Sequence, residues 1–365
     1  MTPARNRALR ALSGLSGLLL AAGAAQGQTA APDYAAAGGT VVLPFLNAPL
    51  AGQATTRPPS LSVRFPGGRE YRATLDTGST GVVVSATSIP DFAQLPQIGP
   101  GTLTYSSSGR IEKGVWVVTP LTISGTGGAR VTTRPMPVLA VTEIACLRTA
   151  RNCQPRLNPK GIGMIGIGFA RQQDAQSQGT PDHNPLLNVQ GMGTAEQPGS
   201  MRRGYVLSRT SVQVGLDAAG TKGFSYVKLE KSPTYPDWAA APVCISVAGK
   251  TPPACGTMLM DTGVTTMFLR MPPEQLEGQT TPNERGAPVL NTGTGIALEM
   301  PGAAGVGYSF NVGDTANPVA PLSVILVRAD RNPGAFVNTS VRFLNRFDYL
   351  YDADGGYVAF RPRPE

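Results

Sequence analysis

Two stretches of the chain alternate apolar and polar residues in the same way and arrive at the same three residues. The first runs Leu61-Ser-Val-Arg-Phe65, passes the turn Pro66-Gly-Gly68, and continues through Tyr71-Arg-Ala-Thr-Leu75 into Asp76-Thr77-Gly78. The second runs Val243-Cys-Ile-Ser-Val247, passes a proline-rich turn, and continues through Gly256-Thr-Met-Leu-Met260 into Asp261-Thr262-Gly263. A period of two with turn residues between the runs predicts a β-hairpin in each place. A short apolar run after each triplet, Val82–Val84 and Met267–Leu269, predicts another strand. Further on in each half comes a second apolar run. It is Gly163-Met-Ile-Gly-Ile-Gly-Phe169 in the first and Ala335-Phe-Val-Asn-Thr-Ser-Val341 in the second. The pattern is that of a duplicated lobe, each copy carrying one Asp on a tight turn after a strand. The lobes are expected at 28–220 and 221–365, with the boundary in the turn-rich run Asp217–Gly223.

Composition supports strands over helices. The chain has 365 residues, 41% hydrophobic, with 44 Gly and 33 Pro. That many breakers predict short strands and turns, while the apolar content excludes a disordered chain. The formal charge of +8 is spread along the sequence. No dense basic run with interleaved aromatics is present, so no nucleic-acid partner is expected. The single histidine, His183, lies in the loop-like run Thr180-Pro-Asp-His-Asn-Pro185. One histidine excludes zinc sites built on two or three of them, and any Ser-His-Asp or Cys-His site would have to use His183. There is no phosphate-binding glycine loop. Neither a cofactor nor a metal is expected.

The N-terminus reads as an export signal, 1–27. Arg5, Arg7 and Arg10 precede an apolar stretch from Ala11 to Ala25, and Ala25-Gln26-Gly27 fits the small-x-small cleavage rule. The stretch is too short and glycine-rich for a membrane span. The expected location is periplasmic or secreted. In such a compartment the four cysteines become a disulfide question. Three connectivities are possible. The short loops closed by Cys146–Cys153 and Cys244–Cys255 favour local pairing.

The repeated triplet carries the chemistry. An Asp at the end of a strand can be presented at an interface between lobes. A Thr hydroxyl can bond across to the other loop, and a Gly lets two loops approach closely. Two carboxylates brought together cannot both ionise, so they share a proton. One then serves as base and the other as acid toward a water between them. That suffices to hydrolyse an amide in a peptide or protein substrate without histidine, metal or covalent nucleophile.

At these residues the chain resembles the pepsin-like aspartic peptidases, in particular an exported bacterial member. The resemblance implies an all-β, bilobal double β-barrel with pseudo-two-fold symmetry and a central cleft. It implies endopeptidase activity with Asp76 and Asp261 as catalytic residues, supported by Thr77, Gly78, Ser79, Thr262 and Gly263. Ile165-Gly-Ile-Gly-Phe169 is similar to the segment threaded beneath the first catalytic loop. Tyr105, in Tyr105-Ser-Ser-Ser-Gly109, stands where the family carries the tyrosine of a substrate-covering flap, inside a hairpin expected between Leu103 and Val118. The run Phe347–Phe360 resembles the terminal hairpin.

The sequence also departs from the pattern. Val264 stands where a Ser or Thr would donate to the second Asp, Asn338-Thr339 replaces a Gly, and Val83 replaces a Trp that would bond the flap tyrosine. Only 29 residues separate Asp76 from Tyr105, fewer than in pepsin. From Val264 one expects Asp261 to lack a hydrogen bond. Two other functions fit parts of the pattern: a catalytically silent scaffold that binds a peptide or protein in its cleft, and a glycosidase using two carboxylates at about 5 to 10 Å.

Overall fold

A computed structural model of the protein describes Met1 and residues 31–363, apart from 106–107, 149, 151–152, 173–175, 177, 304 and 329–333. The expected export signal lies, but for Met1, outside the described residues. Among them are 25 strands and one α-helix, the single turn Pro273–Leu276.

The two predicted hairpins form and set up matching sheets. In the first half Ser60–Arg64 pairs antiparallel with Tyr71–Asp76, Leu61 opposite Ala73. The strand ending in Asp76 does not pair with the next one, Thr80–Ser85. Instead Gly163–Ile167 threads between them, parallel to the first and antiparallel to the second. Thr80–Ser85 then lies parallel to Met136–Cys146. In the second half Ala241–Val247 pairs antiparallel with Ala254–Leu259. Ala335–Asn338 threads between Ala254–Leu259 and Met267–Arg270, again parallel to one and antiparallel to the other. Met267–Arg270 lies parallel to Val324–Leu326. Strand order and sense repeat step for step, which is the pseudo-two-fold of a bilobal double barrel.

Threading explains the composition of these runs. A strand with neighbours on both edges and side chains packed on both faces has no solvent side, so its sequence stops alternating. Val82, Val83 and Val84 are all fully buried, as are Ile165 and Ile167. Close approach also forces glycine: a Cβ on Gly166 would meet Ser79 Oγ at 2.9 Å and the Gly81 carbonyl at 2.8 Å.

A third sheet of six strands draws on both ends of the chain. Its order is Val41–Pro44, Ser211–Leu216, Arg202–Leu207, Phe347–Asp352, Tyr357–Pro362, Ser225–Lys228. The run expected as a terminal hairpin supplies two adjacent strands of it. This sheet is fastened to the first threaded strand, because Tyr205 donates its hydroxyl to the Ile167 carbonyl at 2.8 Å. Phe169 stacks on Tyr351 with ring centres 4.4 Å apart. One apolar cluster runs through both halves and the third sheet, from Leu43 to Phe360.

All four cysteines are bridged, Cys146 to Cys153 and Cys244 to Cys255. The second bridge joins directly opposed residues of the hairpin that delivers Asp261. No helix among the described residues is long and apolar enough to cross a membrane.

Candidate active site

Asp76 and Asp261 are buried where the two loops meet. Each loop begins as its strand ends, and the threaded strand beneath prevents it from closing as a tight hairpin. The backbone of each loop turns back on its own carboxylate. Gly78 N–H donates to Asp76 Oδ1 at 2.7 Å, and Gly263 N–H donates to Asp261 Oδ1 at 2.8 Å.

The threonines join the loops reciprocally. Thr77 N–H donates to Thr262 Oγ1 at 3.1 Å, and Thr262 N–H donates to Thr77 Oγ1 at 2.9 Å. Each hydroxyl in turn donates across the interface, Thr77 to the Met260 carbonyl at 2.5 Å and Thr262 to the Leu75 carbonyl at 2.8 Å. The glycines set the closeness. A Cβ on Gly78 would fall 2.5 Å from both carboxylate oxygens of Asp261, and one on Gly263 would fall 2.5 Å from Asp76 Oδ1. Each loop glycine thus lies against the opposite carboxyl, and Asp76 is close enough to act on the Asp261 carboxyl through its charge.

The remaining carboxylate oxygens are served differently in the two halves. Ser79 Oγ donates to Asp76 Oδ2 at 2.5 Å. Val264 has no hydroxyl to offer Asp261, yet Asp261 Oδ2 accepts a hydrogen bond from Asn338 Nδ2 at 2.6 Å. The bond expected to be missing is therefore present, supplied from the threaded strand. The register also relocates the departure at Asn338-Thr339. Leu259 pairs with Asn338 as Thr74 pairs with Met164, each two residues before its Asp. Asn338 thus takes the place of Met164, and Ser340, with φ of 60°, falls at the place of Gly166.

Burial pushes the Asp261 carboxyl above the ordinary carboxylate range, and the negative Asp76 beside it pushes the same way. The Asn338 bond and the positive charge of the buried Arg171 work against this. A carboxyl so placed keeps its proton where an exposed one has lost it. Arg171 belongs to the stretch after Phe169, which also touches the first loop through Gln176 Nε2, 3.3 Å from the Gly78 carbonyl.

Tyr105 ends the strand Gln97–Tyr105, which pairs with Arg110–Thr119 as the expected hairpin. Its hydroxyl is buried. Burial, then the charges of Glu112 and Asp76, raise its pKa. Val83, fully buried among Leu103, Leu139 and Val141, has nothing to offer that hydroxyl. His183 is engaged elsewhere: Nδ1 lies 2.9 Å from Thr180 Oγ1 and the ring packs edge-on against Trp116. A cavity of about 860 Å³ also lies elsewhere, walled by Arg134, Arg203, Lys231 and Trp238, and neither Asp76 nor Asp261 lines it.

Asn338 and Arg171 were not among the expected site residues. The signal for Asn338 is an amide in the middle of a run otherwise suited to a buried strand. Arg171 carries no comparable signal.

Comparison with solved structures finds the same fold in the crystal structure of an aspartic proteinase from Irpex lacteus. The TM-score is 0.55 at 13% identity, covering 89% of this chain and 97% of that one. Searches with the sequence found no matching family model and no matching curated protein. The architecture is that of the pepsin-like aspartic proteinases.

Proposed function

We propose that the protein is an aspartic endopeptidase, exported from the cell, that hydrolyses peptide bonds with Asp76 and Asp261. The observation that carries this reading is the meeting of two buried carboxyls on matched loops, each with its own set of donors. Asp261, with the raised pKa, holds the shared proton. A water between the carboxyls attacks the peptide carbonyl carbon and gives its proton to Asp76. Asp261 protonates the carbonyl oxygen as the tetrahedral intermediate forms. Collapse of the intermediate breaks the C–N bond: the departing nitrogen takes the proton that Asp76 received, and one hydroxyl of the intermediate returns its proton to Asp261, which restores the pair. The two disulfides fit an oxidising compartment. Glycines that bring each loop against the opposite carboxyl speak against a glycosidase, whose pair stands about 5 Å or more apart. A silent scaffold loses its main support once Asn338 provides the donor that Val264 lacks.

The test is cleavage of a peptide mixture across acid and neutral pH, with and without pepstatin. The wild type should cleave and pepstatin should block it. Asp76→Asn and Asp261→Asn should each lose about 10²- to 10⁴-fold in rate, the range for a positioned acid or base. Undiminished cleavage by either variant contradicts the assignment, and pepstatin binding without any cleavage marks a silent scaffold.

A further inference from the structure

The two halves solve the same problem with different parts, and the second solution is specific to this chain. In the first half, the hydroxyl that reaches Asp76 Oδ2 sits on the catalytic loop itself, at Ser79. Gly166 on the threaded strand leaves the space for it. The strand position two residues before Gly166 is Met164, which packs with the apolar group around Val83 and Leu103. In the second half the loop position is the apolar Val264, while the place of Met164 is taken by Asn338. Polar and apolar have changed places between loop and strand.

We propose that Asn338 is a positioning residue for Asp261, supplying from the threaded strand the hydrogen bond that Val264 cannot give from the loop. The proposal rests on the reading of Asp76 and Asp261 as one working pair. The orientation of the amide is fixed at both ends. Asn338 Nδ2 donates to Asp261 Oδ2 at 2.6 Å, and Asn338 Oδ1 accepts from Ser340 N–H at 3.1 Å. Turning the amide over would set its oxygen against the carboxylate and its NH₂ against an N–H, losing both bonds.

The exchange changes how each carboxyl meets a proton. A serine hydroxyl can donate or turn and accept, so Ser79 tolerates a proton on Asp76 Oδ2. The amide NH₂ only donates. Asn338 therefore holds Asp261 Oδ2 with a bond that favours the charged form, as Gly263 N–H does at Oδ1, and a proton on Asp261 weakens whichever of the two it meets. The charged groups facing Asp261 are Asp76 from the opposite loop and Arg171 from the stretch after Phe169. Asp76 repels the charged form of Asp261, while Arg171 favours it in the same sense as the Asn338 bond.

The test compares wild type, Asn338→Leu, Val264→Thr and the double variant. Asn338→Ala serves as a smaller alternative if leucine prevents folding. Two readouts are used: the carboxyl ¹³C titration of Asp261 and the pH profile of peptide cleavage. Asn338→Leu should move the Asp261 midpoint upward and lower kcat about ten- to a hundredfold, the cost of one bond to a charged group, with KM little changed. The upper limb of the pH profile should move up with the midpoint. Val264→Thr alone should change either readout by less than about twofold, because the oxygen already has its donor. Added to Asn338→Leu, it should bring the midpoint and part of kcat back. An Asp261 midpoint unmoved in Asn338→Leu and Asn338→Ala overturns the proposal, as does a Val264→Thr effect that is the same with and without Asn338. If the midpoints move as stated while the wild type cleaves no peptide, the proposal stands and the peptidase reading falls.

Discussion

The Asp76 and Asp261 loops carry the same Asp-Thr-Gly triplet on matching backbone paths, each over its own threaded strand, and they differ in one donor. Both carboxylates receive an N–H from the glycine two residues on. Asp76 gets its second donor three residues along the chain, from Ser79. Asp261 gets it 77 residues along, from Asn338. What repeats is therefore the set of donors around each carboxylate, while the residue that supplies a donor is free to move if another element reaches the same point. A loop hydroxyl and a strand amide arrive at the same oxygen because each strand runs directly beneath its loop. The difference also separates the features that have to be symmetric, the glycines and threonines at the contact between loops, from those that do not.

The largest effect should come from the symmetric glycines. Gly78→Ala and Gly263→Ala each put a methyl group into the opposite carboxyl. Overpacking of this kind costs about 1–3 kcal/mol, and displacing a reacting group by about 1 Å costs on the order of 10² in rate. Cleavage rates and urea midpoints should fall alike for both variants. If one of them is tolerated, the two loops do not meet symmetrically.

A smaller effect is expected from the threonines. Thr77→Val and Thr262→Val each remove a hydroxyl that donates once across the interface and accepts once. Each should lower stability by about 1–2 kcal/mol in urea unfolding. Because the two hydroxyls serve the same pair of loops, the double variant should cost less than the sum. Strict additivity would mean that the loops are held independently, which would break the comparison at its centre.

Much of the fold is legible in the sequence. Period-two alternation identifies both hairpins, and the loss of alternation identifies the strands buried on both faces. The short loops favour the disulfides that form. Sequence does not reveal register between distant strands. Asn338 lies near Asp261 only because Leu259 pairs with Asn338, a fact set by threading that no local pattern encodes. The same holds for the six-stranded sheet, where Val41–Pro44 pairs with Ser211–Leu216 across most of the first half. Val264, read along the loop alone, suggests a deficient site. Once the strand beneath is in place, the deficiency is filled. Tyr105 shows the reverse: its hairpin is legible, while the burial of its hydroxyl depends on what Val83 and its neighbours leave around it.

The central claim is that two loops far apart in sequence bring two carboxyls into one proton-sharing pair, and stability as a function of pH tests it without any substrate. Asp261 has a folded pKa raised above its unfolded value, by burial first and by Asp76 second. Its contribution to stability is then fully present below the unfolded value and is lost as pH rises through the folded one. Urea unfolding of the wild type should show that loss, with a slope approaching about 1.4 kcal/mol per pH unit within the window. Asp261→Asn should remove this part of the slope and become more stable relative to wild type as pH rises from 4 toward neutrality. Asp76→Asn, which removes the neighbouring charge and leaves the burial, should reduce the slope without abolishing it. Parallel pH profiles for all three proteins would contradict the account.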